Sequence, residues 1–511
     1  MMIDLESDIR ELREVFNSGK TKESSWRIKQ LHGLLRILED REDDICKALK
    51  QDLGKHHVES YRDEIGTSVK SVNNALDNLK QWMAPQKKLG LTPDLVPWSN
   101  RPTQMKVVQE YSSKRIRLPI AAFPSRASLV PEPLGVVLII SSWNFPIGLS
   151  LEPLIGALAA GNAVVLKPSE LAPMCSSLLA ETIRDYLDNT AVKVMEGGSD
   201  LGERLLRYKF DKIFFTGSAH VGRLVMSAAA QHLTPVTLEL GGKCPAVVDS
   251  FSSSRDNNIA AKRIVWGKFG LCAGQACIGI DYILTEKKYL PNLVESLKRY
   301  IKQCYGDDPN GSLSISKIVN KKHFSRLTNL LDDPVVKSSV VYGGSCDEES
   351  LFIEPTILVD PPLDAAIMTE EIFGPLLPVI TLESIEDSVN FIKARPNPLA
   401  LYAFTKNENL QKRLVSETSS GTLMFNEAIL QYAVDTLPFG GVGGSGFGRY
   451  HGKFSFDNFS HEKAVIMRGF FIDIWFRYPP WTDRKLQLIK AGFRYDYLGV
   501  LLIALGLKSK A

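Results

Sequence analysis

No Cys-x-x-Cys pair and no tight His/Cys cluster occurs in the 511 residues. That absence removes the usual ligand spacing of a structural zinc site. The seven cysteines, Cys46, Cys175, Cys244, Cys272, Cys277, Cys304 and Cys346, are odd in number and show no even framework. Reduced thiols in a cytosolic compartment are the expectation. Charge of one sign is not in excess either. With 61 Lys plus Arg against 58 Asp plus Glu the net charge is +3, and the two signs are interspersed. A nucleic-acid partner, which calls for concentrated basic residues, is not expected. The opening Met1-Met2-Ile3-Asp4-Leu5-Glu6 has neither a basic nor an apolar leader region, so no secretory or transit peptide is expected. The apolar run Leu498 to Leu507 has ten residues counting Gly, half of the roughly 20 that a spanning helix needs. It suits docking on protein or lying on a membrane surface. Internal repeats and low-complexity tracts are missing.

What is present is the composition of a globular chain, 44% hydrophobic and 23% charged, long enough for two or three domains. The first 85 residues read as helices. Ile65, Val69, Val72, Leu76, Leu79 and Met83 recur at steps of four and three, and Leu31, Leu34, Leu35 and Leu38 do the same. From about 86 to 118 periodicity is lost, and an irregular insertion is expected. From Pro133 onward, short apolar runs alternate with helix-length segments: Leu134 to Ile140, Ala163 to Lys167, Val192 to Met195, Ile213 to Phe215 and Val236 to Leu240. This is the pattern of β-α-β units and a parallel sheet. A second α/β set follows Gly241-Gly242, with strands near Ala246 to Val248, Tyr282 to Leu284, Leu377 to Ile380 and Leu401 to Phe404. Ligands of such sheets sit beyond the carboxyl ends of the strands, so the polar residues that close each run are the candidates for chemistry.

Thr216-Gly217-Ser218-Ala219-His220-Val221-Gly222 follows a strand and opens a helix. Small residues and free N–H groups there favour a phosphate. The spacing is Gly-x4-Gly rather than the dinucleotide fingerprint, and an ordinary strand-to-helix turn accounts for it equally well. Lys167-Pro168-Ser169-Glu170 closes another strand; a carboxylate there can hold an adenosine ribose, although a solvent-facing helix start explains it at least as well. Gly274-Gln275-Ala276-Cys277 places a thiol in a small-residue turn, where access and a lowered pKa make a nucleophile. Alone it would read as a buried filler. The company of Glu239 and Asn144, each at a strand end or turn, adds a base and an oxyanion donor.

Six motifs in order carry a resemblance over almost the whole chain. They are Pro133-x-Gly135 with Trp143-Asn144-Phe145-Pro146, Lys167-Pro168-Ser169-Glu170, Phe215-Thr216-Gly217-Ser218, Glu239-Leu240-Gly241-Gly242-Lys243, Gly274-Gln275-x-Cys277 and Glu371-Ile372-Phe373-Gly374-Pro375. The chain resembles the aldehyde dehydrogenase superfamily. Its ending, Leu437-Pro438-Phe439-Gly440-Gly441 through Tyr450-His451-Gly452-Lys453, is similar to the class 3 branch in its plant-type form. That branch includes fatty-aldehyde dehydrogenases.

The resemblance implies NAD(P)-dependent oxidation of aldehydes, medium to long-chain aliphatic ones above all. Cys277 matches the nucleophile, Asn144 the amide that joins the Cys277 N–H in holding the oxyanion, and Glu239 the base that activates water for thioester hydrolysis. Lys167 and Glu170 match adenosine-ribose contacts, and Ser218 a pyrophosphate contact, with Thr216, Gly217 and Gly222 in the same turn. Glu371 and Phe373 match the residues that hold the nicotinamide ribose and ring. No metal is implied. The α/β fold implied has a Rossmann-like coenzyme domain (1–118 and 134–240), a second α/β catalytic domain (241–436), a small bridging sheet (119–133 and 437–460) that pairs across a homodimer, and a helical tail (461–511). A cytoplasmic enzyme is expected, with peripheral contact to a membrane such as the endoplasmic reticulum through the tail as an addition. Two other readings stand beside this one: a catalytically silent scaffold of the same fold, and a reductase or CoA-acylating enzyme using the same thioester.

Overall fold

The computed structural model describes residues 4–88, 125–471 and 473–507. The chain divides into two compact units, residues 1–82 with 133–460, and residues 83–132 with 461–511.

The larger unit holds two sheets. One has the spatial order Gly446–Phe447, Val236–Leu240, Lys212–Gly217, Val136–Ile140, Ala163–Lys167, Val192–Val194. All neighbours run parallel except the two-residue edge strand at 446, which pairs antiparallel with Val236–Leu240. Val136–Ile140 and Ala163–Lys167 are apolar nearly throughout and buried, as strands covered on both faces must be. Their β-branched residues suit a pleated surface. Strand order reverses between Val136–Ile140 and Lys212–Gly217. The crevice beyond the carboxyl ends of these two strands is the topological switch point. Asn144 follows one strand, and Thr216 to Ser218 close the other.

The second sheet has the order Val340–Tyr342, Thr356–Val359, Leu376–Leu382, Tyr282–Glu286, Pro245–Val248, Ala400–Phe404, Thr422–Phe425. It is parallel except at its 340 edge. Each sheet has its own core, built around Val136, Leu138, Val165, Phe215 and Leu238 in one and Leu284, Leu358, Leu376 and Leu401 in the other. The N-terminal segment forms the helices Leu5–Asn17, Ser24–Asp40, Glu42–Leu53 and Gly66–Met83; the second and fourth carry the apolar stripes read from the sequence.

In the smaller unit Gln86–Lys88, Arg126–Pro133 and Ser460–Met467 form a three-stranded sheet. This corrects three expectations. The segment 437–460, expected in the bridging sheet, belongs to the larger unit, where Gly446–Phe447 edges the first sheet and Lys453–Asn458 is helical. The irregular insertion begins as a strand, Gln86 to Lys88 pairing antiparallel with Ala127 to Leu129; its remainder lies outside the described residues. The segment from 461, expected as a helical tail, also begins as a strand. Its exposed His-Glu-Lys residues carry no apolar alternation; Lys463 pairs with Glu132 on the neighbouring strand. Helices follow at Asp483–Phe493 and Tyr497–Ala504, and Ile503 packs on Leu488 and Ala491.

Candidate active site

Cys277 is delivered by a strained turn. After the helix Ser254–Phe269, Cys272, Ala273 and Gly274 all take positive φ, at 47°, 51° and 80°. For the two non-glycine residues this costs of order 1–3 kcal/mol each, and such strain persists only where surroundings over-determine it. They do here. Glu59 Oε1 accepts from Cys272 N at 2.7 Å, and Gln275 Nε2 donates to the carbonyls of Cys272 and Lys317 at 2.9 and 3.0 Å. Gly274 has no alternative: a Cβ there would meet the Gly374 carbonyl oxygen at 2.6 Å.

Asn144 is buried and reaches this loop directly, its Nδ2 donating to the Gln275 carbonyl at 2.9 Å. An amide has two N–H groups, and this bond uses one of them. Cys277, Glu239 and Thr216 line one cavity with Phe145, Leu271, Ile278, Phe439 and Tyr450; its space, including the open mouth, is about 800 Å³. The residues that sequence reasoning singled out at the end of Val236–Leu240, at the end of Lys212–Gly217 and in the 277 loop thus meet in one place.

Burial sets the electrostatics. The Cys277 thiol is pushed up to about 12, chiefly by burial and then by the carboxyls of Glu371 and Glu239; the N–H groups of Ile278 and Cys277 act the other way. Burial also raises Glu239 well above the usual carboxylate range, and both its oxygens are buried without a hydrogen-bond partner. Burial thus favours the uncharged form of both groups.

The coenzyme candidates occupy the switch point and its neighbours. Thr216 Oγ1 is buried without a partner, an orphan that a bound polar ligand would satisfy. Ser218 caps the helix Ala219–Ala230, its Oγ accepting from Val221 N at 3.4 Å, and its hydroxyl hydrogen is still available to an anion. Gly222 serves packing: a Cβ there would lie 3.0 Å from Leu240 Cδ2. Lys167, buried at the end of its strand, pairs with the more exposed Glu170 at 3.0 Å. Glu371 folds over Gly241, where a Cβ would meet its Oε1 at 2.1 Å, and accepts from Gly242 N at 3.0 Å. Phe373, at φ 54°, meets Trp143 edge-on with centroids 5.4 Å apart. An orphan hydroxyl, a helix N-terminus and a lysine–carboxylate pair at the carboxyl ends of two strands that flank Val136–Ile140 fit a dinucleotide.

Sequence reasoning missed several residues here. Glu152, on the apolar helix Gly148–Ala160, lines the cavity with its carboxyl pushed up to about 7 by burial. His451 also lines the cavity, buried with Nδ1 unpartnered and held to about 3, mainly by burial. Lys55, Glu59 and Glu64 lie buried behind the two catalytic turns. A lone charged residue inside an otherwise apolar helix, as at Glu152, is the one signal that could have been read.

The sequence model of the Aldehyde dehydrogenase family matches residues 4–465. The chain belongs to that family. It is an oxidoreductase that acts on aldehydes with NAD or NADP. It is 50% identical to aldehyde dehydrogenase family 3 member F1 of Arabidopsis thaliana, over 99% of this chain and 98% of that one. To family 3 member A2 of Rattus norvegicus it is 40% identical, over 95% and 93%. Among solved structures, the substrate-bound state of Staphylococcus aureus AldH superposes with a TM-score of 0.87 at 38% identity, covering 96% of this chain and all of that one.

Proposed function

We propose that this enzyme oxidises medium to long aliphatic aldehydes to acids through a thioester on Cys277. One observation carries the reading: Cys277 and Glu239 open on a single, mainly apolar cavity, and Asn144 is hydrogen-bonded to the loop that bears the thiol. The Cys277 thiolate attacks the carbonyl carbon. Asn144 Nδ2 and the Cys277 N–H hold the resulting oxyanion, which collapses to the thioester. NAD or NADP, when bound, supplies the hydride acceptor for that collapse. Glu239 then takes a proton from water, whose oxygen attacks the thioester and releases the acid. Lys167, Glu170, Thr216, Gly217, Ser218 and Gly222 would hold the adenosine and pyrophosphate side, and Glu371 and Phe373 the nicotinamide side. The first sheet with the N-terminal helices would form the coenzyme domain, the second the catalytic domain, and the three-stranded sheet the dimer contact.

A screen of aldehydes from short to long chain against both coenzymes, with product analysis with and without CoA, tests this. Free acid, with turnover per KM rising with chain length, is expected. Acyl-CoA as the product would replace hydrolysis by acyl transfer, and a preference for short chains would remove the substrate assignment.

Coenzyme choice is assigned to Glu170. Its carboxylate would face a 2′-phosphate of like charge, a repulsion of about 1 kcal/mol near solvent. Glu170→Gln should therefore improve NADP use relative to NAD by roughly fivefold; an unchanged ratio of the two kcat/KM values would clear this residue.

No described helix is long and apolar enough to cross a membrane. In the smaller unit, however, Phe470, Phe471, Trp475, Trp481, Phe493, Leu498, Leu501 and Leu505 are exposed. Each such side chain gains about 1.5–3 kcal/mol on full burial, which supports peripheral membrane association of a cytoplasmic enzyme, for instance on the endoplasmic reticulum. Lys508 and Lys510, expected to assist at anionic headgroups, lie outside the described residues. Truncation after Arg494 should release the protein from liposomes in flotation and weaken discrimination between short and long aldehydes. Full-length protein that stays wholly in the supernatant would refute the membrane assignment.

A further inference from the structure

Behind the catalytic turns lies a set of buried charges that the chemistry above does not use. Lys55 and Glu64 are an ion pair with both side chains fully buried. Lys55 Nζ also donates to the backbone carbonyl of Asn144 at 2.9 Å and sits 4.0 Å from the centroid of the Phe145 ring. Glu64 Oε2 accepts from the N–H groups of Ile147 and Gly148 at 2.8 and 3.2 Å. The Asn144 turn is therefore gripped at its carbonyl and again three and four residues later. Glu59 grips the other catalytic turn, accepting from Cys272 N at 2.7 Å and from Ser316 Oγ at 3.0 Å.

One short segment supplies both carboxylates. His57–Ser60 is α-helical and Tyr61–Ile65 continues as a π turn. At about 100° per residue, positions five apart in an α-helix diverge by roughly 140°. A turn closed by i→i+5 hydrogen bonds brings them back toward one face. The π turn thus lets Glu59 and Glu64 both face inward, one toward the loop of the thiol and the other toward the turn of the amide.

We propose that Lys55, Glu59 and Glu64 are positioning residues, a buried charged clamp that sets the Asn144 amide in register with Cys277. The inference rests on the reading of Asn144 as the oxyanion donor. Such a donor works only when fixed before the charge develops, because preorganisation is what makes it stronger than water. The residual mobility of the Asn144 turn is limited by two ionic grips on its backbone rather than by packing alone. The side-chain bond from Asn144 to Gln275 then joins two turns that are already held from behind.

The test is a double-mutant cycle. Glu64→Gln keeps the shape but removes the charge that holds Lys55. Its kcat should fall about 10–100-fold, a fraction of the 10²–10³ expected for Asn144→Ala, with aldehyde KM and coenzyme Kd within about threefold of wild type. In the Asn144→Ala background the same change should cost no more than about threefold, since the group it positions is gone. Val389→Ala, in the core of the second sheet, is the control for destabilisation and should keep full kcat per folded enzyme. Should Glu64→Gln not fold, Lys55→Arg retains the charge and changes only its geometry, and the same cycle applies. If the losses of Glu64→Gln and Asn144→Ala multiply, or if Val389→Ala slows kcat equally, the clamp is refuted while the role of Asn144 stands. An Asn144→Ala enzyme as fast as wild type removes the oxyanion reading, and the clamp with it.

Discussion

Cys277→Ala should abolish aldehyde oxidation, with a loss on the order of 10⁴–10⁶ in kcat, as when the nucleophile of a covalent mechanism is removed. Among the described residues, Cys277 is the one cysteine that lines the cavity. The neighbouring Cys272 is wholly buried, and burial pushes its thiol up to about 12 as well. What separates the two cysteines is access: Cys277 lines the cavity, while Cys272 faces the Gln275 side chain at 3.6 Å and the buried Glu59–Lys55 cluster. Cys277→Ala should bind NAD as well as wild type does, because the switch-point residues lie on the first sheet and keep their contacts. Stability should change little, since one sulfur at a cavity wall leaves a space that already exists. Cys272→Ala should retain turnover. The decisive measurement is NADH formation in a single turnover at enzyme excess; normal formation by Cys277→Ala would end the assignment.

The motif residues were legible because of where a parallel sheet puts them. Ala163–Lys167 and Val236–Leu240 have the bounds read from the sequence, the first an apolar run closed by Lys167, the second alternating Val236, Leu238 and Leu240 with Thr237 and Glu239. Glu239 and Thr216, picked out at such strands, and Cys277, picked out in a small-residue turn, share one cavity. The short strands Val340–Tyr342, Thr356–Val359 and Thr422–Phe425 escaped. At three or four residues, two of them only partly buried, they have too few side chains to show a period. The clamp escaped for another reason. Lys55 and the carbonyl it holds are 89 positions apart, and Glu59 and Cys272 are 213 apart. A charged residue on a helix reads as its solvent face, and only a tertiary partner turns it inward. The same limit hid the contact of Glu371 with Gly241: it depends on two loops 130 residues apart in number, and only the close approach explains why position 241 is glycine.

Glu239→Gln should separate the two halves of the reaction. Acylation and hydride departure require the thiolate and the oxyanion donors, so a burst approaching one NADH per subunit should survive. Hydrolysis requires a base for water, and losing one costs about 10²–10⁴-fold, so steady turnover should fall by that order. The pH profile carries the sharper test. A carboxyl acts as base only when ionised, and burial raises Glu239 above the ordinary value of 4.5. In the wild type, deacylation should therefore fall about tenfold per pH unit on the acid side of that raised pKa, and the break should lie above pH 4.5. Because the pKa is raised, the active form is gained as pH rises through it and lost as pH falls. In Glu239→Gln that break should vanish from the deacylation rate, leaving a slow rate that climbs with hydroxide. The rise of the burst rate with pH, set by the Cys277 thiol that burial pushes up to about 12, should persist without a break in the measured range. Rapid-mixing measurement of burst and steady rates from pH 5 to 10, on both proteins, decides. A variant with no burst and wild-type deacylation, or one that keeps the acid break in deacylation, would show that Glu239 is not the base.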